Sequence, residues 1–400
     1  MLNLFSRRPA QPSQPPQQQQ VERIAITGMG LLCPVGGTAW GAALAMRKKI
    51  SSFMEHETVL VADDRYGTVL RGATISRVPD EVIPRDLCGS DRAVALLSPA
   101  IRQCIVGFSS QLLKRAVWLL DDFSEPAAQD FRARLRGALP DLPIPEAVGD
   151  DLTAPAYPRC AFFERIIQAA ERLRQGKEQL AIVGCADSHV TAPSLEELLY
   201  AGRLKDAANP EGILVGEAAG AILLETETHA RQRNATILAT IGSWGRGTEP
   251  NPWTGTKPSI ARGITDAFLE AFESLDDKGE SIGTVIADLN GERARALEWG
   301  LVEGRVFPPS ERERALKHPA DTLGDCGGAM GAAMMVDALA GFMLHHNAPR
   351  RVALSTSDEA GERRVIFLER GDRVERRPFM NGLRKELNME KQPALPEEDT

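Results

Sequence analysis

The chain has 400 residues, 43% hydrophobic and 26% charged, with a formal net charge of −8. That length fits one large or two modest soluble domains, and the acidic balance argues against nucleic acid as the main partner. Six cysteines without regular spacing read as free thiols of a reducing compartment; no apolar run reaches the roughly 18 residues of a membrane helix, so the expected location is cytoplasmic.

Residues 1–21 are rich in proline and glutamine and lack the apolar mass to offset the entropy of ordering, so a disordered tail is expected. Ile24 to Thr27 read as a strand, left through the glycine-rich turn GMGLLCPVGG, with Thr38 capping a helix from Ala39 to about Met46. That turn is not GxGxxG, which sets nucleotide binding aside. Residues 50–88 read as short strands and loops. Ser90 to Phe108 reads as a helix capped by Ser90 and interrupted at Pro99, followed by a short element at Leu112 to Leu120. A surface-wrapping stretch with a short helix at Ala128 to Leu135 comes next.

The central unit is PRCAFFERIIQAAERLRQGKEQLAIVGCADSHV, from Pro158 to Val190. Phe163, Ile167, Ala170 and Leu173 draw one apolar stripe, with Arg165, Gln168 and Arg172 opposite it. Gly176 ends the helix, and Leu180 to Val183 form a strand closed by Gly184. Cys160 lies near the helix start, where the helix dipole would lower a thiol pKa. A helix from Pro193 to Tyr200, capped by Ser194, is expected next. In GILVGEAAGAILL, from Gly212 to Leu224, the buried Glu217 requires backbone amides or an arginine as partner.

A second α/β half opens at Thr236 to Ile241. It continues with an amphipathic helix at Ile260 to Phe272 and a strand at Gly283 to Ala287. In DLNGERARALEWG (288–300), Leu297 and Trp299 are the packing candidates, and the charges around them are expected to face water. DTLGDCGGAMGAAMMVDALAG (321–341) joins a glycine-rich turn to a small-residue helix. Arg351 to Leu354 and Arg364 to Leu368 read as a closing hairpin. Residues 371–400 are expected to be an extended or disordered tail. The halves, 22–230 and 231–370, share an order of strand, glycine-rich turn and helix, which favours a layered α/β fold over a barrel.

Five segments carry a resemblance: IAITGMGLLCPVG (24–36), SDRAVALLSPA (90–100), AAERLRQGKEQLAIVGCADS (169–188), GILVGEAAGAILLE (212–225) and GGAMGAA (327–333). Together they are similar to the β-ketoacyl-acyl-carrier-protein synthases of the thiolase superfamily. The resemblance implies a thiolase-like αβαβα fold of two related halves. It also implies a cysteine nucleophile that takes up an acyl group, and two histidines that assist decarboxylation and stabilise the enolate.

This chain departs from that pattern at each catalytic position. Counting back from Gly176 without a gap puts Arg159 at the nucleophile position; Cys160 fits only if one residue has been lost. Asn290 stands for the first histidine and Asp325 for the second, and STSDEAGE (355–362) replaces the closing loop, with only Gly361 in keeping. Asparagine cannot move a proton as imidazole does, and an anion at 325 opposes an enolate. Asn290 read structurally bonds a turn, and Asp325 caps the next helix or pairs with an arginine. None of the six histidines occupies a matched position, although His189 and His318 flank the matched segments. No metal and no other cofactor are expected.

The leading expectation is a synthase-like partner, scaffold or chain-length subunit of fatty-acid, lipid or polyketide biosynthesis, lacking ordinary condensation. It would form a homodimer, or a heterodimer with an active synthase, and meet an acyl carrier protein or acyl-thioester. Two alternatives stand beside it. One is an acyl-thioester transferase or hydrolase built on Cys160, Asn290 and Asp325, with an open tunnel to the thiol. The other is an acyl-ligand-binding module; Phe162 or Phe163 plugging the tunnel would favour a non-enzyme.

Overall fold

The structure is a computed structural model describing residues 22–123, 130–146, 157–273, 275, 282–307, 314–344 and 348–371. The expected tails 1–21 and 372–400, residues 124–129 and 147–156 of the stretch 123–157, and His345 and His346 lie outside the described residues, and the short helix expected to end at Leu135 is found at Phe131–Ala138. The chain opens with β1 (Ile24–Leu32), α1 (Ala39–Arg47), β2 (Phe53–Ala62), β3 (Leu70–Ser76), α2 (Gly89–Cys104), α3 (Ser110–Leu113), β4 (Ala116–Asp122) and α4 (Phe131–Ala138). Next come α5 (Pro158–Arg174), β5 (Leu180–Ser188), α6 (Ala192–Tyr200), β6 (Val215–Thr226) and α7 (Glu227–Gln232). The remainder is β7 (Ala239–Thr248), α8 (Arg262–Glu273), β8 (Ile282–Ala287), α9 (Arg293–Val306), β9 (Ala315–Lys317), α10 (Ala320–Leu323), α11 (Met330–Leu344), β10 (Arg351–Ser357) and β11 (Glu362–Glu369).

The strands run in the order β4-β5-β6-β1-β7-β11-β10-β8-β9, and the β2–β3 hairpin attaches to the start of β6. The two halves of this sheet meet only over Ile24–Ile26 of β1 and Ala239–Ile241 of β7. Helices α5 and α11 fill the space between them, touching β5 and β6 on one side and β10 on the other. Helix α2 covers β1, β5 and β6 from outside, while α8 covers β7 and β11. Three buried clusters follow this layering, one around α5 and α11 and one beneath each outer helix. The architecture is therefore layered α/β with a mixed sheet, consistent with a thiolase-like fold.

Glycines let the outer helices approach. A Cβ on Gly28 or Gly30 of β1 would lie 2.1 or 1.9 Å from the carbonyls of Cys104 and Ala100 in and beside α2. Gly245 and Gly247 of β7 stand in the same relation to α8, each 1.9 Å from a carbonyl, of Ala267 and Gly263. The i, i+2 pair puts both glycines on one face of its strand, so each half uses the same device. GMGLL is thus part of β1, and the expected turn begins only after Leu32.

Other expectations shift for related reasons. Strand β5 continues through Gly184 to Ser188, and β6 is one buried strand of 12 residues. Cys88, without a side-chain bond, precedes α2; Ser90 instead donates to Asp122 at 2.8 Å, and the helix runs through Pro99. Ser194 meets the hydroxyl of Thr191, the residue that starts α6. Arg165 is buried against Asp121, whereas Gln168 and Arg172 of the expected polar side remain only half-buried. Leu297 is 60% exposed, whereas Trp299, Arg295 and Glu298 are buried. The stretch Gly327–Leu344 is long and apolar enough to cross a membrane, contrary to the sequence expectation, but 89% of it is buried as the core helix.

Glu217, within β6, finds both kinds of partner expected of it. It takes a bidentate pair from Arg92 at 2.6 Å, the Val78 amide at 2.8 Å and the Ser188 hydroxyl at 2.8 Å. One carboxylate thus joins β6, α2, β5 and the segment after β3. Glu217→Ala leaves the Arg92 guanidinium buried without its counter-ion and is expected to lower stability by about 3–5 kcal/mol in equilibrium urea unfolding.

Candidate functional site

The three matched positions converge where α5 starts, β8 and β10 end, and the turn into α11 begins. Pro158 occupies the first turn of α5, where its missing N–H is not needed, so Arg159 enters the site from the helix start. Asp325 is held by its backbone: its N–H bonds Leu214 O at 2.7 Å and its carbonyl accepts Gly216 N–H at 2.9 Å. Gly216 and Gly324 permit that clamp, since a Cβ on either would lie 2.0 or 2.5 Å from a facing carbonyl. Asn290 lies just past the end of β8, before α9.

Arg159 and Asp325 form a bidentate ion pair, at 2.9 and 2.6 Å, with both side chains buried. Asn290 Nδ2 donates to the same carboxylate at 2.6 Å, and its Oδ1 accepts the Glu292 amide at 3.1 Å. Asp325 also accepts Gly327 N–H at 2.9 Å, at the entry to the α11 segment. Burial alone would raise the Asp325 pKa, but Arg159 outweighs it and holds the carboxyl well below the usual range. The group is therefore a fixed anion that only accepts hydrogen bonds.

A second shell of charge surrounds the pair. Glu359 bridges Arg159, Arg203 and Arg295 at 2.8, 2.9 and 3.0 Å, and Arg203 forks onto Glu292 at 2.8 and 2.9 Å. Arg295 also meets Asp288 at 3.0 Å, and Asp288 accepts the Ser357 amide at 2.9 Å. Burial would raise the Glu359 pKa, yet the three guanidiniums bring it down to about 2. Asp288 goes the other way, raised by burial despite Arg295. Trp253 lies under this group, with Arg295 and Arg363 at 4.2 and 4.6 Å from its ring.

The structure brings Asn290 and Asp325 together, and their partner is Arg159. Cys160 faces elsewhere: its thiol donates to Glu362 O at 3.2 Å, with the Thr356 hydroxyl at 3.6 Å. Burial pushes this thiol up to about 12, opposite to the lowering expected from the helix dipole. The dipole acts on the first turn, but a buried thiolate loses far more solvation than the dipole returns. Phe162 and Phe163 are fully packed, both against Gly331 of α11. His189 lies at the edge, 3.7 Å from Asp187, whose other contact is the Gly328 amide at 2.7 Å.

Arg203, Glu292, Arg295 and Glu359 belong to the site but were not singled out from the sequence. The available signal was charge in the matched segments, Glu292 in DLNGERA and Glu359 in STSDEAGE; Arg295 lies just past the first of these, and Arg203 lies in neither. Among the described residues no group of three His, Cys, Asp or Glu side chains could hold a metal ion. Chemically the arrangement can neutralise, orient and exclude water; an arginine at the nucleophile position cannot attack a thioester.

Comparison with known proteins gives the fold: the chain has the fold of the β-ketoacyl synthases of the thiolase superfamily. It is 27% identical over 355 residues to nodulation protein E of Rhizobium leguminosarum bv. trifolii, spanning 78% of this chain and 84% of that protein. Nodulation protein E of Rhizobium meliloti is 25% identical over 181 residues, 43% of each chain. The ketosynthase from module 6 of the bacillaene synthase from Bacillus subtilis 168 superposes with a TM-score of 0.72 at 14% identity, covering 93% of this chain and 78% of that one. The ishigamide ketosynthase/chain length factor gives 0.69 at 19% identity, covering 88% of this chain and 100% of that one. No protein-family profile matches the chain.

Two substitutions probe the network. Asp325→Leu leaves Arg159 with a buried, partly uncompensated charge and is expected to cost about 3–5 kcal/mol, whereas the double variant R159M/D325L should recover most of that loss in urea unfolding. Glu359→Gln should cost roughly 3 kcal/mol near pH 7, the scale of a carboxyl held at about 2 when folded against 4.5 as a free group. A depressed folded pKa stabilises above the unfolded value. The gap between the native chain and E359Q should therefore be full above about pH 4.5 and close as pH falls through about 2, read from unfolding curves across that range.

Proposed function

We propose that this chain is a non-catalytic, ketosynthase-like partner subunit, of the chain-length-factor kind, in fatty-acid or polyketide assembly. The observation that carries the reading is the Arg159–Asp325–Asn290 cluster. It puts a guanidinium where the thiolate would be and an ionised carboxylate where an enolate would need a donor. Packed side chains also fill the ground beside it, from Phe162 and Phe163 to Phe123, whose ring a Cβ on Gly328 would approach to 2.3 Å. The likeness to a ketosynthase/chain length factor supports the same pathway class.

The partner on this reading is an active condensing enzyme, and β4 is the element offered to it. β4 pairs only with β5 among the described strands, so its other edge is open. Phe123 N–H bonds Ala186 O on the β5 side, so alternation turns the carbonyls of Trp118 and Leu120 outward. Arg132 donates to both of them at 3.4 and 3.5 Å, long bonds that an incoming strand would replace with shorter ones. An acyl carrier protein then delivers substrate to the active subunit of the pair.

The test is acyl loading, made in a Cys88→Ser background because Cys88 is the exposed thiol among the six. After incubation with a reactive acyl-thioester analogue that labels an active synthase, intact-mass and peptide analysis should find no adduct at Cys160. Mixed with its active partner, the chain should elute as a heterodimer and alter the product chain length. A stoichiometric adduct at Cys160, absent in C160A, would sink the proposal.

A further inference from the structure

At the pole opposite the Arg159 cluster, two adjoining clefts open between α1, α11, the end of β9 and the starts of β8 and β10. The larger of the two, about 340 Å³, is lined by the apolar Ile286, Val352, Phe342 and Ala338 together with Arg47 and Lys317. The second, about 300 Å³, shares Arg47 and Lys317 and adds Lys48, Lys49 and His318. Four permanent cations here face two carboxylates, Asp337 and Asp321, in a chain of net charge −8. The local excess runs against the overall charge.

The cation pair is short of acceptors. Asp337 sits between Arg47 and Lys317, 3.0 Å from the guanidinium and 3.3 Å from the ammonium, and its backbone carbonyl accepts a further Arg47 bond. Among the described residues one carboxylate and one carbonyl face eight N–H donors, and the match is incomplete on both sides: Arg47 Nε and Asp337 Oδ1 are each buried with no hydrogen-bond partner there. Gly341 makes the geometry possible: a Cβ there would lie 2.5 Å from the Arg47 guanidinium, so the side chain crosses α11 only over a glycine. Burial lowers the Lys317 pKa despite Asp337, so an arriving anion would meet an ammonium still under-compensated. Lys48 and Lys49 are exposed and line only the second cleft, whereas Arg47 and Lys317 line both and border the apolar residues, so they are the anchoring pair.

An apolar lining beside two under-paired cations matches one chemical class. We propose that this cleft binds a small amphipathic carboxylate, its hydrocarbon body on Ile286, Val352 and Phe342 and its head group between Arg47 and Lys317. A cleft of this size falls within the usual range for small-molecule sites, and aliphatic burial with a charge-assisted hydrogen bond supplies both affinity and orientation. The inference is independent of the partner role above, because the lining shares no residue with the Arg159 cluster.

The experiment is titration calorimetry on the full chain with octanoate, octanol and inorganic phosphate as separate probes. Octanoate should bind saturably, at least about tenfold tighter than octanol, a difference of about 1.4 kcal/mol, and phosphate should bind more weakly than octanoate. Two variants locate the site: Lys317→Met keeps the stem and removes the charge, and Thr284→Phe fills the cleft from β8. Each should weaken octanoate at least about tenfold, with circular dichroism showing which variants retain the fold. Octanol binding as tightly as octanoate, phosphate binding as tightly, or octanoate binding unchanged in whichever variant folds would each overturn the proposal. So would the absence of saturable octanoate binding to the native chain.

Discussion

The Arg159–Asp325 ion pair ties together the parts of the molecule that must meet for this fold to close. Arg159 comes from the start of α5, Asp325 from the turn before α11, and those two helices form the middle layer. Buried charges are costly to desolvate, and such a pair gives little net stability over a well-packed apolar one. Its effect is conditional: with both members present the layer closes, and with one removed a bare charge remains in the interior. Asn290, Glu359 and the Gly327 amide share the remaining valences, so the pair is held in one arrangement.

On the reading proposed here, that arrangement leaves no group to carry condensing chemistry at this point. A condensing site needs a nucleophile with low pKa, donors for a developing oxyanion and room for an acyl chain. Here the nucleophile position carries a paired cation, and a donor position carries an anion held ionised by that cation. The nearby thiol is driven up to about 12 by burial. These changes support one another, since the arginine is tolerable only with the aspartate and the aspartate only with the arginine.

Much of the fold was legible in the sequence because it depends on local rules. The stripe on α5, the Gly176 stop, the β10–β11 hairpin and the partners of Glu217 all follow from periodicity, glycine conformation and the cost of a buried carboxylate. Errors arose where tertiary layering overrides a local rule. Arg165 reads as a solvent-facing residue on an amphipathic helix, but it turns inward to Asp121, which β4 carries against this layer. Gly28 and Gly30 looked like a turn, but what they permit is the approach of α2 to a continuing strand. At the site, the sequence leaves Arg159 and Cys160 as alternatives beside Asn290 and Asp325, and the side chain that meets them is that of Arg159. The charges around them were assigned to solvent because the partners that neutralise Arg295, namely Asp288 and Glu359, lie about 7 and 64 residues away in the chain.

The two polar regions of the molecule sit at opposite ends of the same strands. Thr284 and Ile286 of β8 and Val352 of β10 border the basic cleft, while Asp288 and Ser357 lie beside Arg295 at the other end. The strands that carry both are apolar and paired in register, Ala353 with Val285 and Leu354 with Ile286, and along β8 only Ala287 separates the cleft residue Ile286 from Asp288. Coupling between the two regions requires an element with two arrangements whose balance both sites can bias. The cluster at Arg159 is over-determined, with each charged group held by more than one partner, and β8 and β10 are locked by neighbours on both sides. Nothing in that framework offers a second arrangement. Occupancy of the cleft should therefore act locally, on α1 and the end of α11, and leave the Arg159 cluster unchanged.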